Sequence, residues 1–151
     1  MIDTEIKLTG KRVRFEPLED INYFVELAVK DNAAHYDFYK TEQILETVEK
    51  YGQKFWALYL NGTRRGVVGY FIYDGIYLME ALKDHSAPPT GIGYSIEVGK
   101  VVLEYLFSLT DRVRTFARIK DVGIQILCKK LGFGEIIRHG EFIIFEKVRE
   151  I

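Results

Sequence analysis

Gly91 and Gly93, in Pro88-Pro89-Thr90-Gly91-Ile92-Gly93, stand directly before an apolar stripe at helical spacing in YSIEVGKVVLEYLF. Neither glycine has a side chain, so the backbone amides from 91 to 95, those of Ile92, Tyr94 and Ser95 included, can approach a ligand closely and point at it from a helix N-terminus. Such a concentration of donors favours phosphate. Two glycines before a helix also make an ordinary turn, and alone the pair suits the turn better. Cys128, the single cysteine, shares a helical face with Ile124, Leu127 and Leu131, as a small core residue would. Its other reading is a thiol, reactive only with a depressed pKa. His35, His85 and His139 show no His-x-x-x-His or carboxylate-linked spacing, so no metal is expected.

These residues need elements to position them. The stretch RVRFE (12–16) alternates like a half-buried strand, and LEDINYFVELAVK places Ile21, Phe24, Val25 and Ala28 on one helical face. KTEQILETVEKYG predicts a second helix stopped by Gly52. KFWALYL, RRGVVGYFIYD and IYLMEALKD are strand-like runs separated by Asn61-Gly62 and Asp74-Gly75, which favour tight hairpins, so a three-strand antiparallel meander is expected. A helix over YSIEVGKVVLEYLFSL, a strand over RVRTFARI, a helix over VGIQILCKKLG and a closing hairpin across His139-Gly140 complete the order.

No repeat or linker divides the 151 residues, so one domain over 1–151 is expected. Lys+Arg 21 against Asp+Glu 22 removes the simplest electrostatic case for nucleic acid or an anionic membrane as partner. The pairs Arg64-Arg65 and Lys129-Lys130 and the basic residues of DRVRTFARIK read as a solvated face. No stretch reaches a membrane-spanning length or reads as a secretory signal, and one cysteine suits a reducing, cytoplasmic setting.

The element order, the GIG turn and Lys130-Leu131-Gly132-Phe133 together resemble the GNAT superfamily of acyl-CoA-dependent N-acyltransferases, over roughly residues 10 to 148. The resemblance implies an α+β three-layer α/β/α sandwich with a mixed, mostly antiparallel central sheet, splayed where the co-substrate acetyl-CoA enters. In that family a Gln/Arg-x-x-Gly-x-Gly/Ala loop holds the CoA pyrophosphate on backbone amides, which places Gly91, Ile92, Gly93, Tyr94 and Ser95 at the cofactor. Here Pro88 replaces the usual Gln or Arg, removing a side-chain contact and an amide donor. Asp121 stands where the family often has Asn, and Cys128 where many members have a Tyr that protonates the leaving thiolate; both positions adjoin the cofactor in the family. Asp121 retains the ability to cap its helix.

The same resemblance assigns backbone groups near Ala81, Leu82 and Lys83 to the pantetheine arm, and makes Glu80 the expected general base for the acceptor ammonium. Alternation puts Ile76, Leu78, Glu80 and Leu82 on one face, where partial burial would raise a carboxylate pKa. Taken from the residues alone, Glu80 reads better as a carboxylate at a cleft rim; Asp84 and His85, next along the chain, are alternatives whose commoner fate is solvent exposure. His35, Tyr36, Phe38 and Tyr39 occupy the connection that in the family walls the acceptor pocket, and aromatic walls suit the stem of an amine; the same cluster reads equally as a lid on the core. The expected function is acetyl transfer to a primary amine of a small molecule or peptide, by direct attack in a ternary complex, and is compatible with a homodimer. The alternative is a catalytically degenerate CoA-binding or protein-interaction module of the same fold.

Overall fold

The computed structural model describes residues 8, 10–30 and 54–150. The expected second helix and the connection carrying His35, Tyr36, Phe38 and Tyr39 lie outside them. In chain order the elements are β1 (Arg14–Pro17), α1 (Ile21–Lys30), β2 (Lys54–Leu60), β3 (Thr63–Tyr73), β4 (Ile76–Lys83), α2 (Ile92–Leu106), β5 (Arg112–Arg118), α3 (Val122–Lys130), β6 (Gly134–His139) and β7 (Phe142–Val148). The strands form a seven-stranded sheet in the order β1-β2-β3-β4-β5-β7-β6. Every neighbouring pair is antiparallel except β4 with β5, which is parallel.

Both turns of the meander follow from their dipeptides. Asn61 and Gly62 have φ of 53° and 77°, and Asp74 and Gly75 have 52° and 75°. Two successive positive angles match the right-handed twist of the flanking strands, and Asn, Asp and Gly reach them at the least steric cost.

β2 and β3 carry nearly unbroken apolar runs because both faces of the central sheet are covered. On one face α1 contributes Phe24, Leu27 and Ala28 to a cluster with Phe55, Ala57, Val67 and Leu82. On the other, α2 sends down Val98, Val102, Leu103 and Leu106 and α3 Cys128, against Trp56, Leu58, Val68, Tyr70 and Met79. Phe55 and Trp56 are adjacent yet serve opposite cores, as the two-residue period of a strand requires. This is the mixed, mostly antiparallel α/β/α sandwich that the sequence led us to expect.

Two local features bear on the site. The β2–β3 register shifts so that Leu58 pairs with Gly66 and Tyr59 with Arg64, leaving Arg65 as the extra residue of a β-bulge. Gly66 beside it has φ of 151°, and a Cβ there would strike the Leu82 carbonyl oxygen, so only glycine fits. At the other end of the site, Glu97 in α2 accepts the backbone N–H groups of Arg12 (2.9 Å) and Val13 (2.8 Å), pinning the entry to β1 against α2. Burial alone would raise the Glu97 carboxyl, but those amides and the Arg12 guanidinium hold it below its ordinary value.

Candidate functional site

β4 and β5 pair only at Tyr77 with Val113 and Leu78 with Arg114. Beyond that point the strands part. The Thr115 hydroxyl donates to the Met79 carbonyl across 3.1 Å, which marks the start of the fork. Backbone groups of alternate residues point to alternate sides of a strand. Asp84 donates its N–H to Arg65 of β3 (2.9 Å), so even-numbered residues here face β3, while Met79, Ala81 and Lys83 face the fork. The backbone of Ala81 and Lys83 is therefore the open edge, and Leu82 turns its backbone to β3 and its side chain, 3% exposed, into the α1-side core.

The Gly-rich loop stands at the mouth of this fork. α2 begins at Ile92, two residues before the start expected from the sequence, so Ile92 and Gly93 belong to its first turn. Gly91 is the N-cap and provides no side-chain bond to the helix amides; the Tyr94 N–H reaches the Gly91 carbonyl (3.1 Å). α3 differs: there Asp121 Oδ1 accepts the Ile124 N–H at 3.2 Å and closes the helix start. α2 has no acidic residue in its first turn either, and the Arg12 guanidinium lies where a Gly93 Cβ would come within 3.3 Å of Nη2. A cation at the positive end of a helix is unfavourable by itself, so this end suits a bound anion. Ser95 is half-buried behind it, and burial pushes the Tyr94 hydroxyl up to about 12, with Arg65 pulling the other way.

Glu80 lies on the α1 face of β4 and is 4% exposed. Its cross-strand neighbour is Gly69, where a side chain would collide with the Lys54 carbonyl and the Phe55 ring. A buried carboxylate thus stands beside a patch of apolar core, one residue from the open edge at Ala81. Cys128 is 5% exposed within the α2-side core, and burial pushes its thiol up to about 11, so it is a protonated packing residue at neutral pH. Ile124, expected on the same inward face, is 41% exposed, because only the Leu127–Leu131 end of α3 meets the core.

Sequence reasoning missed a polar cavity of about 220 Å³ at the end of β4, lined by Tyr23, Glu26, Arg64, Lys83, Asp84 and His85. The Tyr23 hydroxyl donates to Asp84 Oδ2 at 2.7 Å, Ser86 donates its N–H and hydroxyl to Oδ1, and the Arg64 guanidinium sits 3.4 Å over the Tyr23 ring. Burial alone would raise Asp84, but the Ser86 and Tyr23 hydrogen bonds and the Arg64 charge bring it below its ordinary value. Tyr23 rises, first through burial and then through that same bond. No spacing could reveal this pair, since its members are 61 residues apart. His85 is exposed.

Of the basic residues, Arg112 and Arg114 meet Glu146 at 3.2 and 2.8 Å, Arg64 lies over the Tyr23 ring and Arg65 donates to the Pro88 carbonyl. Among the described residues no three His, Cys, Asp or Glu side chains converge as metal ligands, and no helix is long and apolar enough to cross a membrane.

No protein-family model and no curated protein matches the sequence. Solved structures do match the fold. An acetyltransferase from Agrobacterium tumefaciens superposes with a TM-score of 0.74 at 14% identity, covering 95% of each chain. The fold is that of the GNAT acetyltransferases. A GNAT-family acetyltransferase from Bacillus anthracis gives 0.67 at 14% identity, covering 95% of this chain and 98% of the other. The Campylobacter jejuni N-acetyltransferase PseH, solved in complex with acetyl coenzyme A, gives 0.61 at 12% identity, covering 91% and 99%. At such identities the GNAT fold is what is shared.

Proposed function

We propose that this protein is an N-acetyltransferase that moves the acetyl group of acetyl-CoA to a primary amine, on a small molecule or at a protein N-terminus or lysine, by direct attack in a ternary complex. The observation that carries the reading is the open β4 edge at Ala81 and Lys83 leading to an α2 N-terminus that no side chain among the described residues caps. An extended amide-bearing arm completes such an edge as an added strand would, and a pyrophosphate completes such a helix end. The likeness to the acetyl-CoA complex of PseH supports the choice of co-substrate.

Acetyl-CoA supplies an activated thioester carbonyl, and the remaining tasks fall to residues of the chain. The Ala81 and Lys83 backbone would hold the arm in register, and a fork-facing N–H would donate to the carbonyl oxygen as it gains charge. Glu80 would accept the proton that the amine must lose to attack, which its buried position beside the fork supports. His35, Tyr36, Phe38 and Tyr39 remain our proposal for the acceptor wall. The lone, buried Cys128 suits a cytoplasmic setting.

A second reading, a CoA-binding module without turnover, is favoured by one observation. The thiol of Cys128 is buried in the core at the position where the GNAT resemblance leads one to look for a phenol that protonates the departing thiolate. Titration of acetyl-CoA followed by release of free thiol over an amine panel separates the two. Binding with acetyl transfer supports the enzyme, binding without transfer to any amine supports the module, and no binding overturns both.

A further inference from the structure

The GNAT loop normally begins with Gln or Arg, and here that position is Pro88, which offers only a carbonyl for hydrogen bonding. That carbonyl is taken. The extra residue of the β-bulge, Arg65, sends Nη1 to the Pro88 oxygen at 2.7 Å and Nη2 to the Leu60 oxygen at 3.2 Å. The register shift at this point leaves Arg64 over the Tyr23 ring and its neighbour Arg65 on the carbonyl of the cofactor loop.

The charge of Arg65 is what calls for an explanation. The residue is 9% exposed, and its Nε is buried without a hydrogen-bond partner. Its contacts are neutral carbonyls, and it makes no ion pair with a carboxylate among the described residues. A buried guanidinium without a counter-charge is costly, and a brace between two carbonyls needs no full positive charge. Its field reaches the first turn of α2, where it opposes the rise of the Tyr94 hydroxyl. A first turn that Gly91 does not cap and, nearby, a cation without a carboxylate partner among the described residues both ask for an anion.

Resting on the acetyl-CoA reading, we propose that Arg65 replaces the missing loop Gln or Arg from a different strand, as a positioning residue. It anchors Pro88 so that the amides at 91–95 converge, and it supplies buried positive charge to the cofactor pyrophosphate.

The test is isothermal titration of CoA, and of pantetheine, which lacks the pyrophosphate, into the full chain and into Arg65→Met and Arg65→Lys. Arg65→Met is expected to weaken CoA at least tenfold and leave pantetheine unchanged, and Arg65→Lys, which keeps the charge but loses the two-carbonyl fork, to recover part of the loss. Wild-type affinity for CoA in Arg65→Met, or equal weakening of both ligands, overturns the assignment while leaving the acetyl-CoA reading standing. Failure of the wild-type chain to bind CoA overturns that reading itself. If Arg65→Met does not fold, Arg65→Lys alone decides, since selective weakening of CoA supports the proposal and equal or no weakening overturns it.

Discussion

Gly91→Asp separates what the chain gains in stability from what it gives to its ligand. Gly91 has φ of -80° and ψ of 169°, an extended conformation open to any residue, and a Cβ there meets nothing within 4 Å. The substitution is therefore sterically free. A carboxylate at this N-cap would accept the first-turn amides and complement the helix dipole, as Asp121 does for α3. A few tenths of a kcal/mol from the cap and up to about 1 from the dipole give a gain of about 1 kcal/mol. For a chain of this size that raises the melting temperature by roughly 2–4 °C. The same carboxylate would stand where a pyrophosphate must bind. Two like charges about 4 Å apart repel by about 4 kcal/mol at an effective dielectric of 20, and if half survives screening CoA weakens about thirtyfold. Differential scanning fluorimetry with and without CoA reads both effects at once: the apo variant melts higher and the ligand-induced rise shrinks. Gly91→Asn, which caps without charge, is expected to lose less affinity. Unchanged CoA affinity in Gly91→Asp, or a lower apo melting temperature, would refute the argument.

Other consequences are more local. Glu80→Gln is expected to lower kcat about 10²- to 10⁴-fold at unchanged CoA affinity, and the deficit should shrink as rising pH deprotonates the amine; equal activity would remove Glu80 as base. Tyr23→Phe deletes the 2.7 Å bond to Asp84 and should cost about 1.5 kcal/mol in urea unfolding at pH 7, the low end for a bond to a charged group because Ser86 still serves Asp84. Asp84 is lowered in the folded state, so its stabilisation is complete above its unfolded value near 4 and is lost as pH falls through the folded value. The difference between wild type and Tyr23→Phe should therefore narrow below about pH 4, and a constant gap would show that Asp84 is not the partner that matters. Thr115→Val removes the donor to Met79 at the fork and should cost about 1 kcal/mol, read by thermal melting; no loss would mean that β4 and β5 part without it.

The meander was legible because Asn61-Gly62 and Asp74-Gly75 specify their own turns, and the α2 stripe because Val98, Val102 and Leu106 repeat at helical spacing. What escaped depends on contacts between distant segments. The bulge at Arg65 exists only through the register of β2, so two consecutive arginines looked like a solvated pair. Tyr23 meets Asp84 only once α1 lies on the end of β4. The start of α2 was misplaced by two residues because Ile92, 48% exposed, is outside the apolar stripe that announces the helix. Ile124 shows the converse, an apolar residue in phase with the core on a helix that touches it at one end.

The most direct test of a pyrophosphate cradle beside an open strand edge is titration of CoA into the isotopically labelled chain, followed through backbone amide resonances. Saturable binding with the largest shifts at residues 91–95 and at Ala81 and Lys83 is the expected result. No binding, or shifts confined to other parts of the sheet, would contradict the account.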